Sequence, residues 1–197
     1  MPELRIYDDI AYGAVTAAWV ADQLETLAGA TQIDIRLNSP GGSVFDGVAI
    51  HNAIARHPAR TTIHIDGLAG SAASFIAMAG DEIVINRYAK MMIHDASGIS
   101  IGNASDMGAA MSMLDQVSHT IAQMYADRAG GTVDQWRQAM RAETWYSAEA
   151  AVKAGLADRI DDANTGRAPR SHAGVPLQRV VAVAAARRQR RYLNQKG

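Results

Sequence analysis

The sequence predicts an α/β fold in which a mostly parallel sheet is flanked by helices. Two observations support this prediction. Through residues 1–100, short apolar segments of strand length alternate with longer segments of helical spacing, an order typical of parallel sheets covered by helices. The chain of 197 residues is also 48% hydrophobic and 20% charged, which suits a soluble domain with a substantial core.

The elements of the first half follow in order. Strands are predicted over residues 4–7, 32–37, 61–65, 82–85 and 90–94, and helices over residues 15–28, 44–56 and 71–79. Segment 32–37 alternates polar and apolar side chains, which indicates a strand with one covered face. The helix at 44–56 ends before Pro58 because the residue ahead of a proline disfavours helical backbone.

A long helix is predicted over residues 105–129, with Gly130-Gly131 as its stop. Its apolar stripe consists of Met107, Ala110, Met111, Leu114, Val117, Ile121 and Met124. We expect these side chains, methionines included, to serve as packing rather than as ligands. A helix of this length projects beyond a small sheet, so we expect it to pack against another subunit. Shorter helices are predicted from Thr132, which opens a capping box, and over residues 147–154.

Composition divides the chain into a domain at residues 1–162 and a flexible basic tail at residues 163–197. The formal net charge is −1, yet residues 161–197 carry eight basic and two acidic side chains. The basic cluster at residues 187–191 could contact nucleic acid or an acidic partner. A solvated helix end is the simpler interpretation of that cluster.

The composition also excludes several classes of protein. There is no cysteine, so disulfides, thiolate metal sites and cysteine nucleophiles are ruled out. No apolar segment reaches the length of a membrane span, and the N-terminus lacks the layout of a secretory signal. We therefore expect a cytoplasmic protein with no membrane contact, and neither a metal nor an organic cofactor.

Ser71 is the most informative residue. It follows an apolar strand and a glycine-rich turn, Gly67 to Gly70, and opens a helix of small residues. A hydroxyl beside the unpaired N–H groups of a helix start suits a nucleophile whose product is an oxyanion. Ser71 could equally be a simple N-cap. Ser74, three residues on, is the rival nucleophile.

A serine nucleophile needs a base, an orienting group and oxyanion donors at one place. The donors can come from the N–H of Ala72 and from the Gly41-Gly42 loop, which also follows a strand. Of six histidines, His94 ends a strand and is expected at the same sheet edge. The carboxylates that could orient it are Asp95, Asp115, Glu143 and Asp158, of which Glu143 has a suitable loop context.

Four motifs together resemble the family of the Clp protease proteolytic subunit (ClpP). They are Asn38-Ser39-Pro40-Gly41-Gly42, the segment Gly67 to Ser74, Met92-Ile93-His94, and the segment from Tyr146 to Asp158. The resemblance covers about residues 4–160 and looks closest to ClpP-like head maturation proteases of tailed phages and prophages. Those phage proteases share the sequences Phe45-Asp46-Gly47 and Asp66-Gly67-Leu68-Ala69. The resemblance implies the ClpP/crotonase-like βα superhelix, with the long helix used in oligomerisation.

The resemblance implies a serine endopeptidase and assigns its residues. The implied site comprises the nucleophile Ser71, the base His94, the third triad residue Glu143, the backbone oxyanion donors Gly42 and Ala72, and the substrate-binding loop Gly41, Gly42 and Ser43. Glu143 departs from the family pattern, which has an aspartate at this place.

The resemblance also implies partners. We expect a homo-oligomer of stacked rings that cleaves polypeptides in an enclosed chamber, in a bacterial host or a cell that carries a prophage. The resemblance to phage proteases implies prohead or scaffold maturation, with scaffold, capsid or portal protein as partners. ClpP subunits carry a pore-lining segment ahead of the first strand, whereas here that strand is predicted from residue 4. We therefore do not expect an ATP-driven unfoldase partner.

Four alternatives stay open. The chain could be a general ClpP-type subunit that does work with an unfoldase, or a catalytically silent assembly subunit. A crotonase-like acyl-CoA enzyme would use a similar fold but acidic catalytic residues and no serine. A membrane-bound signal-peptide peptidase would pair its serine with a lysine, but Lys90 and Lys153 lie outside the glycine turns.

Overall fold

A computed structural model describes residues 2–11 and 13–161 of the chain. The predicted basic tail at residues 163–197, and the boundary that separates it from the domain, lie outside these residues. The strands in the described part are β1 (Glu3–Ile6), β2 (Gln32–Ser39), β3 (Arg60–Gly70), β4 (Glu82–Asn86), β5 (Lys90–Ile93), β6 (Thr144–Ser147) and β7 (Arg159–Asp161). The helices are α1 (Ala17–Thr26), α2 (Val44–Ala55), α3 (Ala72–Ala77), α4 (Ala104–Ala129), α5 (Val133–Arg141) and α6 (Ala148–Lys153).

The described strands form one sheet that is parallel except at one pair. Its order is β1-β2-β3-β4-β7, and β5 pairs with both β3 and β6. Only β5 and β6 are antiparallel within this sheet. Strand-helix-strand connections produce parallel neighbours because the chain must cross back over the sheet before it pairs again. The predicted α/β class, with a mostly parallel sheet flanked by helices, is confirmed.

The two faces of the sheet differ in polarity. Along β2 the side chains Ile33, Ile35 and Leu37 are buried and belong to the core cluster that also contains residues of α1, α2 and α3. The alternate side chains are polar and pair across strands, as Arg36 does with Asp66 on β3. This alternation follows from the two-residue repeat of a strand, and the hydrophobic effect directs the apolar set toward the helices.

The segment before Ser71 is a strand rather than the predicted glycine-rich turn. β3 continues through Gly70, because it leaves β4 after Ile65 and pairs with β5 from Leu68 onward. The Asn38 side chain of β2 accepts the Leu68 N–H at 3.0 Å, and a Cβ on Gly67 would meet that side chain at 2.6 Å. Glycine there permits a close approach of neighbouring strands, so the reversal of the chain falls on Ser71 itself.

Helix α4 begins one residue earlier than predicted, after the Asn103 cap, and contains 26 residues. Its buried side chains lie in the second half: Ser118, Ile121, Ala122 and Tyr125. The first half of the stripe does not pack within this chain, since Met111 there is 69% exposed. Neither α4 nor another helix in the described range is both long and apolar enough to cross a bilayer.

Candidate active site

Two neighbouring parallel strands bring Ser71 and His94 together. Ser71 follows β3 and His94 follows β5, and these strands pair in register up to Gly70 and Met92. The Ser71 N–H donates to the Met92 carbonyl at 2.9 Å, so the register continues to Ser71. The carboxyl ends of parallel strands share an edge, and the two side chains therefore project from adjacent points.

The imidazole of His94 contacts the Ser71 hydroxyl directly. His94 Nε2 lies 2.7 Å from Ser71 Oγ. Ser71 occupies the N-cap position of α3, but its side chain makes no capping bond. The cap interpretation therefore fails for the side chain, and the hydroxyl is in hydrogen-bond contact with a base, as nucleophilic catalysis requires.

The backbone at Ser71 is held in an unusual conformation, with φ 48° and ψ −121°. In the described residues, only Ser71 and Glu143 have a positive φ without being glycine. Non-glycine residues in such regions are strained by about 1–3 kcal/mol and cluster at functional sites. Ser71 and Glu143, two of the predicted site residues, thus both lie on backbone that the surrounding fold constrains.

The glycine loop after β2 packs against this reversal. Gly41 has a φ of 100°, and a Cβ there would lie 2.7 Å from both the Ala72 nitrogen and Ser71 Cβ. No hydrogen bond joins the N–H of Gly42 or of Ala72 to an acceptor among the described residues. These two N–H groups therefore remain available as hydrogen-bond donors beside Ser71. Glycine at position 41 allows the loop after β2 to approach the backbone of Ser71 and Ala72 this closely.

Ile10 holds the glycine loop in place, a role that the sequence pattern did not predict. Its N–H donates to the Gly41 carbonyl at 2.8 Å, and its carbonyl accepts the Ser43 N–H at 2.6 Å. The Ile10 side chain is fully buried. A single apolar residue after two aspartates gives no periodic signal, so only the tertiary pairing of this segment reveals its position.

The rival nucleophile Ser74 lies outside the site. It is fully buried, and its Oγ donates to the Ser71 carbonyl at 2.5 Å and lies 2.7 Å from the Tyr125 hydroxyl. Burial raises the pKa of Tyr125 well above its ordinary value, so this phenol stays neutral. Ser74 therefore serves as a structural link between α3 and α4.

Glu143 lies next to His94 by register but is not bonded to it. The antiparallel strands β5 and β6 pair Ile93 with Thr144. His94 follows Ile93 and Glu143 precedes Thr144, so these two residues lie opposite each other. The exposed Glu143 carboxylate accepts the Trp145 Nε1–H at 3.3 Å. Within residues 2–11 and 13–161, no carboxylate is hydrogen-bonded to His94; Asp95 and Asp115 bind Arg137 instead, and Asp158 binds Arg128 and the Ile83 N–H.

A cavity of about 260 Å³ adjoins Ser71 and His94. Its apolar wall comprises Val44, Phe45, Phe75, Met113, Leu114, Val117 and Ile121. Of the predicted substrate loop, Gly42 and Ser43 line the cavity, whereas Gly41 packs against the Ser71 backbone. Phe45 is 63% exposed at this position. The cavity can hold one apolar side chain of a bound molecule.

The Ser43 side chain also caps α2, since its Oγ accepts the Asp46 N–H at 3.3 Å. The Asp46 carboxylate in turn accepts the Ala17 N–H at 3.0 Å. This bond, and after it a hydrogen bond from the Ser43 side chain to the same carboxylate, lower the pKa of the Asp46 carboxyl. The described residues contain no cluster of three or more histidine or acidic side chains placed to hold a metal ion.

Comparison with known proteins identifies a consistent set of relatives. The family model described as Clp protease matches residues 5–164. The ATP-dependent Clp protease proteolytic subunit of Chlorella vulgaris is 30% identical over 128 residues, 64% of each chain. Proteolytic subunit 2 of Corynebacterium efficiens is 29% identical over 130 residues, 65% of each chain, and the subunit of Pleurastrum terricola is 30% identical over 139 residues, 70% of this chain and 71% of its own. The chain thus spans slightly less than two thirds of the first two relatives.

Proposed function

The chain belongs to the Clp protease family, and on that premise we propose that it is a serine endopeptidase whose nucleophile is Ser71. The observation that carries the proposal is the 2.7 Å contact between His94 Nε2 and Ser71 Oγ at a strained backbone reversal. A hydroxyl is a weak nucleophile at neutral pH and gains strength when a neighbouring base accepts its proton. His94 is that base.

The reaction follows from the arrangement. Ser71 Oγ bonds to the scissile carbonyl carbon while its proton passes to His94 Nε2, and the carbonyl oxygen takes the negative charge. The N–H groups of Gly42 and Ala72 donate to that oxyanion, and each such donor contributes about 10²- to 10³-fold in rate. The C–N bond then breaks as His94 returns the proton to the leaving amine. A water molecule, deprotonated by His94, hydrolyses the acyl ester and releases Ser71.

For the third triad position we propose Glu143. Its support is the β5–β6 register, which sets Glu143 beside His94, and the positive φ that fixes the backbone at this residue. A carboxylate at this place holds the imidazole in one tautomer and stabilises the imidazolium that forms. The proposal requires the Glu143 carboxylate to leave Trp145 and to accept a hydrogen bond from the His94 ring.

We propose an extended polypeptide as the substrate. A peptide that pairs with the backbone beside Gly42 and Ser43 would direct one side chain into the apolar cavity. Peptides with leucine or methionine before the scissile bond are therefore expected to be cleaved at least about tenfold faster, in kcat/KM, than those with aspartate or lysine. A series of fluorogenic peptides that differ at this one residue measures the preference.

Hydrolysis of an unstructured protein tests the proposed function. Casein incubated with the purified chain should yield peptide fragments, and a serine-directed fluorophosphonate should prevent their formation. Intact casein after long incubation with correctly assembled protein would contradict the proposal and favour a catalytically silent assembly subunit. Turnover of an acyl-CoA thioester that persists in Ser71→Ala would instead favour the crotonase-like alternative.

We propose a homo-oligomeric ring, with stacked rings, as the working form. Large apolar side chains are exposed on the first half of α4 and on the segment before it. They include Met107, Met111, Met113, Ile99 and Ile101. Exposed apolar clusters of this kind mark interaction surfaces, and a second copy would cover them. The mass of the native assembly, measured beside the casein assay, tests this arrangement.

For the biological role we propose maturation of a phage prohead, with scaffold, capsid or portal protein as substrate in the cytoplasm of a host cell. Its support is the sequence around Phe45 and Asp66, in which the chain resembles ClpP-like head maturation proteases of phages. The second candidate is a general proteolytic subunit that works with an ATP-driven unfoldase, favoured by relatives whose names include ATP-dependent. Cleavage of a folded substrate that requires an added unfoldase and ATP would support the second candidate.

Replacement of Gly42 by alanine is expected to lower kcat by about 10²- to 10³-fold. Gly42 has a φ of 143°, and a Cβ there would overlap the Ile10 carbonyl oxygen. The loop must shift, and the Gly42 N–H then leaves the position of the developing oxyanion. Steady-state hydrolysis of a fluorogenic peptide measures the effect. Gly29→Ala, where a Cβ meets nothing within 4 Å, is the control, and equal rates for both variants would contradict the donor role.

A further inference from the structure

Arg137 is a buried cation in α5, with 8% of its side chain exposed. Its NH1 donates to the Asp115 carbonyl at 2.9 Å, and its NH2 donates to Asp115 Oδ1 at 2.8 Å. The same NH2 group lies 3.3 Å from Asp95 Oδ2. Burial of a charge costs much solvation free energy unless partners replace the water. The partners here belong to α4 and to the segment that follows β5.

Asp95 connects this cation to the candidate active site. It directly follows His94 in residues 94–103, which lie outside helices and strands. A second contact holds the same segment, since the Ala96 N–H donates to Ser118 Oγ on α4 at 2.9 Å. Ala96 also lines the cavity beside Ser71. The path of the backbone that leaves His94 is therefore set by contacts with α4 and α5.

Arg137, Asp95 and Asp115 form a cluster in which two atoms are buried without a hydrogen-bond partner among the described residues: Arg137 Nε and Asp95 Oδ1. One is a donor and the other an acceptor, on side chains that already face each other. Buried unsatisfied polar groups cost about 1–3 kcal/mol each. Joining them would complete the two-bond fork that makes arginine–carboxylate pairs strong and directional. The chemistry of the pair therefore favours a tight Arg137–Asp95 contact.

We propose that Arg137 is a positioning residue for His94. By pairing with Asp95 it fixes the backbone that carries the imidazole, and so holds His94 Nε2 within reach of the Ser71 hydroxyl. This inference rests on the proposed peptidase function. A lysine cannot replace Arg137 fully, because a single ammonium lacks the planar fork that spans Asp95 and Asp115.

The test compares Arg137→Met and Arg137→Lys with the unaltered chain, in its native assembly, on a fluorogenic peptide. We expect kcat to fall about 10- to 100-fold in Arg137→Met, because small misplacements of catalytic groups have effects of this size. KM should stay within about twofold, since the cavity wall keeps its side chains. Arg137→Lys should retain an intermediate kcat. Arg141→Met, an exposed arginine on the same helix, is the matched control.

A second background separates positioning from general destabilisation. In His94→Ala, an added Arg137→Met should lower the residual hydrolysis no further, because groups that act through one residue are non-additive. Equal losses in both backgrounds, or a kcat for Arg137→Met equal to that of the unaltered chain, would overturn the inference while the peptidase function stands. If the unaltered chain itself neither cleaves peptides nor reacts with a fluorophosphonate, both the proposed function and this inference fail.

Discussion

Replacement of Ser71 by alanine is expected to reduce kcat for peptide hydrolysis on the order of 10⁶-fold, the size seen when a serine nucleophile is removed. The variant lacks the oxygen that bonds to the substrate carbon, whereas His94 and the Gly42 and Ala72 donors remain. Ser71 Oγ is bonded only to His94 within the described residues, so its loss should change the free energy of unfolding by about 1 kcal/mol. Peptide hydrolysis and thermal unfolding, measured on one preparation, check both expectations.

Ser74→Ala is the matched control for this prediction. Ser74 Oγ makes two buried hydrogen bonds, so its removal should lower stability by about 1–3 kcal/mol. Its hydrolytic rate, assayed well below the unfolding temperature, should nevertheless stay within about tenfold of the unaltered chain. A folded Ser71→Ala that still cleaves peptides, together with an inactive but folded Ser74→Ala, would move the nucleophile to Ser74.

Replacement of His94 by alanine is expected to lower kcat about 10⁴- to 10⁶-fold. Without the imidazole, no described side chain within hydrogen-bond distance of Ser71 Oγ can accept its proton. Steady-state hydrolysis of a fluorogenic peptide measures the loss. Combining His94→Ala with Ser71→Ala should add little to either single loss, because the pair acts as one unit. Additive losses in the double variant would contradict a shared proton-transfer step.

Much of the fold could be predicted because local patterns and tertiary structure agree. The alternating segment at residues 32–37 forms the first six residues of β2, and the capping box from Thr132 to Gln135 opens α5 as expected. The short strands β6 and β7 were missed. They contain four and three residues, and each forms as a strand by pairing with its partner, which is β5 for β6 and β4 for β7.

The candidate site was predictable to the extent that strand ends determine it. Ser71 and His94 follow neighbouring strands, so the rule for parallel sheets placed them at one edge. The glycines led to the wrong prediction of a turn from Gly67 to Gly70, where the structure has a strand. Glycine occurs both in turns and where strands approach closely. Ile10 and Arg137 could not be found from the sequence. Their roles depend on contacts with Gly41 and Asp95, which lie 31 and 42 residues away along the chain.

The position of the covalent adduct formed with a fluorophosphonate tests the central claim most directly. A serine hydroxyl displaces fluoride from such a reagent only when a neighbouring base takes its proton and donors receive the phosphoryl oxygen. Mass spectrometry of the digested protein should locate the adduct on Ser71, and His94→Ala should abolish it. An adduct on another residue, or no adduct on correctly assembled protein, would contradict the account.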